Sequence, residues 1–316
     1  MNAKKKNGFR IIPYRLEHEQ ALLEIERQSP QGFMVKLEIL RDHFLSRAAL
    51  FDDYAAYVVL GPDDQVLAGG VGAQVPMLIN GELHQTGFGF DVLVDPAVRN
   101  RGIGRDLATC VRKRFFEPKG LKPQFTTLRA GNLTMLHLLS KSYRDTYLYE
   151  FLYLTFPTAR TLRVENTAIG EPIFGASLLS DSENLNNYHE VTESGIGLWH
   201  THQVFQLKVK SVSPVLSGGL WLGNRFIRTN KYVPLVGSVL KTTTIFNLTQ
   251  DNIHTLPEVS LQLYQQGINY MQICCQPNDA VYHALQKSAL NAFSHYIVST
   301  QELNPDEPLK LDVRCL

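Results

Sequence analysis

From position 94 the chain reads Val94-Asp95-Pro96-Ala97-Val98-Arg99-Asn100-Arg101-Gly102-Ile103-Gly104-Arg105, with an apolar strand before this stretch and an amphipathic helix after it. Pro96 cannot donate to a ladder and ends the strand. Ile103, Leu107, Cys110, Val111 and Phe115 then recur at helical spacing, so the helix is expected to start directly after Gly102. The unpaired N–H groups and positive dipole end of a helix N-terminus bind anions, and two residues without side chains, Gly102 and Gly104, are expected to give an anion close access. Arg99, Arg101 and Arg105 add local charge, which makes a diphosphate the natural ligand.

Spacing separates three kinds of phosphate loop. A Walker A loop needs Gly-x-x-x-x-Gly-Lys-Ser/Thr, which is absent, and the dinucleotide fingerprint needs a third glycine where Leu107 stands. The remaining pattern is Arg/Gln-x-x-Gly-x-Gly/Ala, and Arg99 to Gly104 fit it fully. With Val94 and Pro96 at their offsets, the segment resembles motif A of the GCN5-related N-acetyltransferase (GNAT) superfamily. Asn132, Met135, Leu138 and Lys141 resemble its later motif B, and the likeness in element order covers about the first 150 residues. The resemblance implies a cofactor site at Leu93, Val94, Arg99, Asn100, Arg101, Gly102, Ile103, Gly104, Arg105 and Asn132. It implies acyl-CoA (acetyl-CoA or longer) as co-substrate, no metal, and direct attack of an acceptor on the thioester in a ternary complex. Cys110 lies on the apolar stripe of the helix and reads as packed core, not as a nucleophile.

Strict alternation along the preceding strand puts Phe88, Phe90, Val92 and Val94 on one face and Gly87, Gly89, Asp91 and Leu93 on the other, so a carboxylate sits beside open space. Members of the superfamily often carry an acidic residue there, which makes Asp91 the expected general base, with His84 a second choice. An arginine partner serving only the fold is the structural alternative. The superfamily's thiolate acid is often a tyrosine seven residues after the motif B asparagine. Leu139 stands at that position, and the nearest phenol, Tyr143, is the expected substitute.

Outward from this site, Phe9–Tyr14 reads as a strand, and helical stretches are expected through Leu22-Leu23-Ile25 and Leu37-Ile39-Leu40-Phe44. Strands follow at Tyr54–Leu60, Val66–Leu78 and His84–Val94, with Asn80-Gly81 the strongest hairpin signal. After the loop come a strand at Gln124–Leu128, a helix at Leu133–Ser142 and a strand at Tyr147–Phe156. At 316 residues two domains are expected. The reading is a mixed α/β fold of two tandem GNAT-like domains, each a mixed central sheet flanked by helices. The boundaries are 1–156 for the acyl-CoA-binding domain, 157–188 for a linker rich in Ser, Asn, Gly and Glu, and 189–316 for a degenerate second copy.

The second copy is read from strands at Leu198–Val209, Trp221–Thr229, Val239–Asn247 and Tyr270–Cys275, helices at Leu256–Gln266 and Ala280–Leu290, and terminal strands. Asn132 precedes Lys141-Ser142 by the same interval as Asn278 precedes Lys287-Ser288, at equivalent places in the element order, which favours duplication. This half has no Arg-x-x-Gly-x-Gly. Gly218-Gly219-Leu220-Trp221-Leu222-Gly223 precedes a strand and reads as a turn, and His200-x-His202 lacks a third metal ligand nearby.

Thirty-one Lys and Arg balance thirty Asp and Glu, so no general positive field draws nucleic acid or an anionic membrane. The lysine-containing start has no apolar segment after it, and no membrane span is expected. Four cysteines without metal spacing suit a cytoplasmic protein with reduced thiols. The expected partner is an amine-bearing small molecule or peptide acceptor; oligomeric state is not legible. The expected function is N-acyl transfer, acetyl by default. A longer-chain transferase acting on a peptide or protein side chain, as tandem N-myristoyltransferase folds allow, and a non-catalytic acyl-CoA sensor are the alternatives.

Overall fold

The computed structural model describes residues 8–32, 34–143, 145–165, 172–180, 183–214 and 235–316. From the N-terminus the elements are β1 (Arg10–Pro13), α1 (Glu19–Arg27), β2 (Val35–Leu40), β3 (Tyr54–Leu60), β4 (Val66–Ile79), β5 (Glu82–Val94), α2 (Ile103–Val111), β6 (Gln124–Arg129), α3 (Leu133–Ser142) and β7 (Tyr147–Pro157). There follow β8 (Phe174–Ser177), β9 (His189–Val191), β10 (Gly197–Trp199), β11 (Gln206–Val212), β12 (Val239–Leu240), β13 (Thr242–Phe246), α4 (Leu256–Gln265), β14 (Tyr270–Cys275), α5 (Ala280–Leu285), β15 (Asn291–Ser299) and β16 (Leu309–Asp312).

Two units result, and they do not follow the linear division expected from the sequence. The first comprises Met1–Ser29, His43–Glu150 and Ser294–Leu316; the second comprises Pro30–Asp42 and Phe151–Phe293. The terminal strands thus complete the first unit, not the second. The stretch 30–42 joins the second unit and carries β2 where a helix through Leu37-Ile39-Leu40 was expected. Val35, Leu37 and Ile39 alternate with Lys36 and Glu38, and pairing of β2 with β11 selects period two over the helical period. That partner lies far along the chain, so the local pattern could not reveal it.

In the first unit the strands run in the order β1-β3-β4-β5-β6-β15, with β16 against the far end of β4. All these pairs are antiparallel except β5 with β6. The β4–β5 hairpin turns through Asn80 and Gly81, whose φ of 49° and 79° suit the turn that matches strand twist. α2 lays Ile103, Leu107, Cys110 and Val111 on a core with Tyr57, Val59 and Leu67, where the Cys110 thiol is buried and its pKa raised. A buried bidentate pair closes the unit: Arg314 Nε and Nη2 donate to the Asp312 carboxylate at 2.8 and 2.9 Å, and Arg314 Nη1 donates to the Leu50 carbonyl at 2.8 Å.

In the second unit the order is β7-β14-β13-β10-β9, with β13 and β14 parallel, beside a small antiparallel sheet β12-β11-β2. The strand expected from Leu198 to Val209 is broken by a single turn of 3-10 helix at Thr201–Gln203, because β10 pairs with β13 whereas β11 pairs with β2. The order β13-α4-β14-α5 repeats β5-α2-β6-α3 of the first unit. The helix cap in the repeat is Asp279, next to Asn278, and its Oδ1 accepts the Val281 N–H at 3.2 Å. The glycine-rich stretch 218–223 and the strand expected at 221–229 lie outside the described residues.

His200 and His202 pack near β13, with His200 Nδ1 3.3 Å from Thr243 Oγ1 and His202 Nδ1 3.1 Å from the Thr242 carbonyl. Among the described residues no cluster of His, Cys, Asp or Glu is placed to hold a metal. Burial lowers both imidazole pKa values, so the unfolded chain binds these protons more readily than the folded one. The stabilisation is then full above the unfolded value, about 6.5, and is lost as pH falls through the folded values. The Tm is expected to drop between about pH 7 and pH 5, and the double substitution His200→Gln, His202→Gln to flatten that drop; an unchanged slope in thermal melts contradicts the assignment.

Candidate active site

The candidate site lies in the first unit and begins with a defect in β5. Gly69 faces Leu93 and Val71 faces Phe90, so Asp91 and Val92 together oppose Gly70. This is a β-bulge, and Asp91 takes the unusual φ of 50° within it. The extra residue breaks the alternation read from the sequence. Val92 and Val94 join the side of Gly87 and Gly89 and pack with Ile103 and Leu107. Asp91 instead turns to the side of Phe88 and Phe90, where the Arg47 guanidinium sits 5.3 and 5.1 Å from their ring centres. Arg47 Nη1 lies 4.0 Å from Asp91 Oδ1, with both side chains mostly buried. The open space beside the glycines is therefore not where the carboxylate points, and the arginine partner foreseen as the structural alternative is present. His84 lies well up the strand, opposite Met77 and 3.9 Å from Glu82, apart from this cluster.

A gap opens next to the bulge. β5 and β6 pair only at Gly87 with Gln124 and Phe88 with Phe125, although both strands run on, and β4 covers the other edge of β5 to Val94. From Gly89 onward the edge of β5 that faces β6 has no strand partner among the described residues. The gap holds a small apolar cavity of about 40 Å³, lined by Gly89, Val92, Val111, Gln124, Leu139 and Tyr143 among others.

The anion loop follows at once. Asp95 Oδ1 accepts the Ala97 N–H at 2.8 Å, Pro96–Val98 form a turn of 3-10 helix, and Arg99, Asn100 and Arg101 are exposed. The first helical hydrogen bond of α2 runs from the Asp106 N–H to the Gly102 carbonyl at 3.0 Å, so the amides of Ile103, Gly104 and Arg105 precede it without an intrahelical acceptor. Gly102 is the helix cap at φ 82°, a conformation that disfavours any side chain. Gly104 has a packing reason: a Cβ there would come within 2.6 Å of Leu138 Cδ1, so this glycine lets α2 and α3 approach each other.

The arginines are also unequal. Arg99 Nε donates to the Val94 carbonyl at 3.1 Å and its Nη2 to Ser29 Oγ at 2.5 Å, which holds the turn, while Arg105 pairs with Asp106 at 3.3 Å. Arg101 has no such partner among the described residues. Leu93 and Val94 are the last two residues of β5. Asn132 caps α3, its side-chain oxygen accepting the Met135 N–H at 3.2 Å, so that oxygen already has a structural task. Tyr143 caps the C-terminus of α3 and borders the cavity, with the Arg112 guanidinium 5.6 Å from its ring centre. Burial pushes its phenol up to about 12, opposed by Arg112 and reinforced by Glu117. Sequence reading missed Arg47 and Gln124. Nothing in the local pattern marks Arg47, and Gln124 opens a strand of mixed polarity, Gln-Phe-Thr-Thr-Leu-Arg, in which nothing local singles it out.

A strand that parts from its neighbour and runs into a helix N-terminus whose first amides have no intrahelical acceptor is a geometry that can hold an anion. Residues 20–142 match the acetyltransferase (GNAT) family, a likeness over that segment alone. No curated protein matches the sequence. Among solved structures, Saccharomyces cerevisiae N-myristoyltransferase with bound myristoyl-CoA superposes with a TM-score of 0.58 at 7% identity, over 97% of this chain and 84% of that one. The GCN5-related glucosamine N-acetyltransferase region of a fungal multi-domain GH3 β-N-acetylglucosaminidase gives a TM-score of 0.53 at 10% identity, over 95% of this chain and 39% of that one. At these identities the likeness is one of fold, a mixed α/β architecture of two tandem GNAT-like units.

The two glycines separate stability from binding. Gly104→Ala is expected to lower stability by about 1–3 kcal/mol through overpacking against Leu138, read in denaturant titrations. Gly102→Val is expected to weaken CoA binding at least about ten-fold by disturbing the cradle, since only the end of the flexible Arg105 side chain lies near its Cβ position. Unchanged CoA affinity in calorimetry overturns the loop assignment.

Proposed function

We propose that the chain transfers a short acyl group from acyl-CoA to an amine, with the diphosphate held by the amides and arginines of 99–105 and the pantetheine arm laid along the free edge of β5. The amides of Ile103, Gly104 and Arg105, which have no intrahelical acceptor and come directly after the strand gap, carry this reading. The small cavity favours a short acyl group over a long chain, since about 40 Å³ takes only a few heavy atoms.

In the proposed step the amine nitrogen attacks the thioester carbonyl carbon, the C–S bond breaks, and the sulfur leaves as a thiolate. Asp91, on the Arg47 side of the gap, takes the ammonium proton before attack, directly or through water; the Tyr143 phenol, on the cavity side, gives a proton to the thiolate, and the second nitrogen proton, lost as the C–S bond breaks, restores the phenol through water. The bulge supports this division because it puts carboxylate and phenol on opposite faces of β5. Positioning of donor and acceptor in one complex supplies much of the remaining acceleration. Leu93, Val94 and Asn132 flank the arm in this arrangement.

Free-thiol release from acetyl-CoA in the presence of a mixed amine and peptide pool tests the reading. Asp91→Asn is expected to lower kcat by roughly 10²–10⁴-fold, with CoA binding kept within about two-fold. Tyr143→Phe is expected to lower kcat by at least about ten-fold. Since burial keeps the phenol protonated, the wild-type rate is expected to show no alkaline limb from this group below about pH 10. Tight CoA binding without acceptor-stimulated thiol release by the wild type replaces the enzyme with an acyl-CoA sensor.

A further inference from the structure

Gln124 is buried to 9% exposure, yet its side-chain oxygen has no hydrogen-bond partner. Its main chain is fully engaged: the N–H donates to Thr300 Oγ1 at 3.0 Å and the carbonyl accepts the Thr300 N–H at 2.9 Å. The neighbouring Ser299 hydroxyl oxygen accepts the Gln301 N–H at 3.2 Å. The amide of Gln124 is thus a polar group held in place beside an apolar cavity with its acceptor unused. Buried polar groups almost always have partners, so an unused one at a cavity wall marks where a ligand donor belongs.

Position says which part of a ligand reaches it. Gln124 pairs with Gly87, at the closed end of the gap between β5 and β6, while the anion loop follows Val94 at the open end. From Val94 back to Gly87 the regular partner strand takes six steps, Ala68 to Gln74, because the bulge adds a residue without advancing β5, so the span is about 20 Å at 3.3 Å per residue. A pantetheine arm anchored at the loop meets the free edge of β5 first, and the group on its sulfur reaches Gln124 last. Among the described residues no charged side chain lines the cavity, so they offer an acyl group ending in a carboxylate or an ammonium no counter-ion there. A plain alkyl end would leave the amide oxygen unpaired.

We infer that Gln124 is a specificity-determining residue and that the transferred group is a short, uncharged acyl chain carrying a hydroxyl, which donates to the Gln124 side-chain oxygen. This rests on the acyl-CoA reading above. A site built to hydrogen-bond a hydroxyl discriminates against the analogue that lacks it far more strongly than an apolar pocket discriminates by size.

The test uses the full chain and two isosteric pairs of thioesters, hydroxyacetyl-CoA against propionyl-CoA and 3-hydroxypropionyl-CoA against butyryl-CoA, with free CoA as reference, all by calorimetry. The hydroxylated member of at least one pair is expected to bind about ten-fold more tightly or better. Gln124→Met is expected to reduce that preference to within about two-fold while leaving free CoA affinity unchanged. Equal affinities within both pairs for the wild type overturn the proposal, and that comparison stands even if the variant fails to fold. A preference that survives Gln124→Met overturns it too. An equal loss for free CoA and hydroxyacyl-CoA in the variant overturns it by assigning the contact to an amide of the arm. Failure of the wild type to bind free CoA at all removes the acyl-CoA reading itself, which separates the two failures.

Discussion

The first unit depends on a hydrogen-bonding demand along one strand edge that no strand among the described residues meets. β5 stays with β4 to its end but leaves β6 after two residue pairs, so its outer edge from Gly89 to Val94 is offered to something other than a strand. The second unit shows what happens when the demand is met internally. There β13 and β14 remain paired from Thr242 with Tyr270 to Ile245 with Ile273. The turn after β13 is filled by Asn252, whose Nδ2 donates to the Asn247 carbonyl at 3.0 Å and whose Oδ1 accepts the Thr249 N–H at 2.8 Å. One order of elements therefore yields an open groove in one copy and a closed sheet in the other.

The bulge at Asp91 and Val92 gives that groove two chemically different sides. By inserting one residue it keeps the apolar face against α2 continuous, with Val92 and Val94 following Gly87 and Gly89. The same insertion sends the carboxylate to the aromatic side, where Arg47 over Phe88 and Phe90 receives it. A carboxylate facing the apolar cavity would carry a large desolvation cost; pairing with a guanidinium offsets part of it. The strain of φ 50° at a non-glycine residue is thus tied to the separation of polar from apolar chemistry in the gap.

Chain segments far apart in sequence build this environment. β15 lies along β6 from His295 opposite Arg129 to Ser299 opposite Phe125, and Thr300 holds the main chain of Gln124. The Arg47 guanidinium also donates to the Arg314 carbonyl at 3.1 Å, while Arg314 itself is locked to Asp312 and Leu50. The last residues of the chain therefore brace the residues on both sides of the gap, and loss of that brace would be felt at Asp91 and Gln124 before it is felt at the anion loop.

The sequence by itself determined what depends on neighbours within one element. Pro96, Gly102 and the helical spacing from Ile103 fixed where β5 ends and α2 begins, and Asn80-Gly81 fixed the hairpin, because backbone conformation and periodicity are local properties. The family likeness was legible in Arg99 to Gly104 for the same reason. Tertiary structure alone decided the rest. Whether Leu37 and Ile39 belong to a helix or a strand depended on β11, the face taken by Asp91 on a bulge against Gly70, the need for Gly104 on Leu138, and the setting of Gln124 on a strand contributed from beyond residue 290. Each of these is settled by a partner distant along the chain, and pairing of that kind leaves no periodic trace in the residues on which it acts.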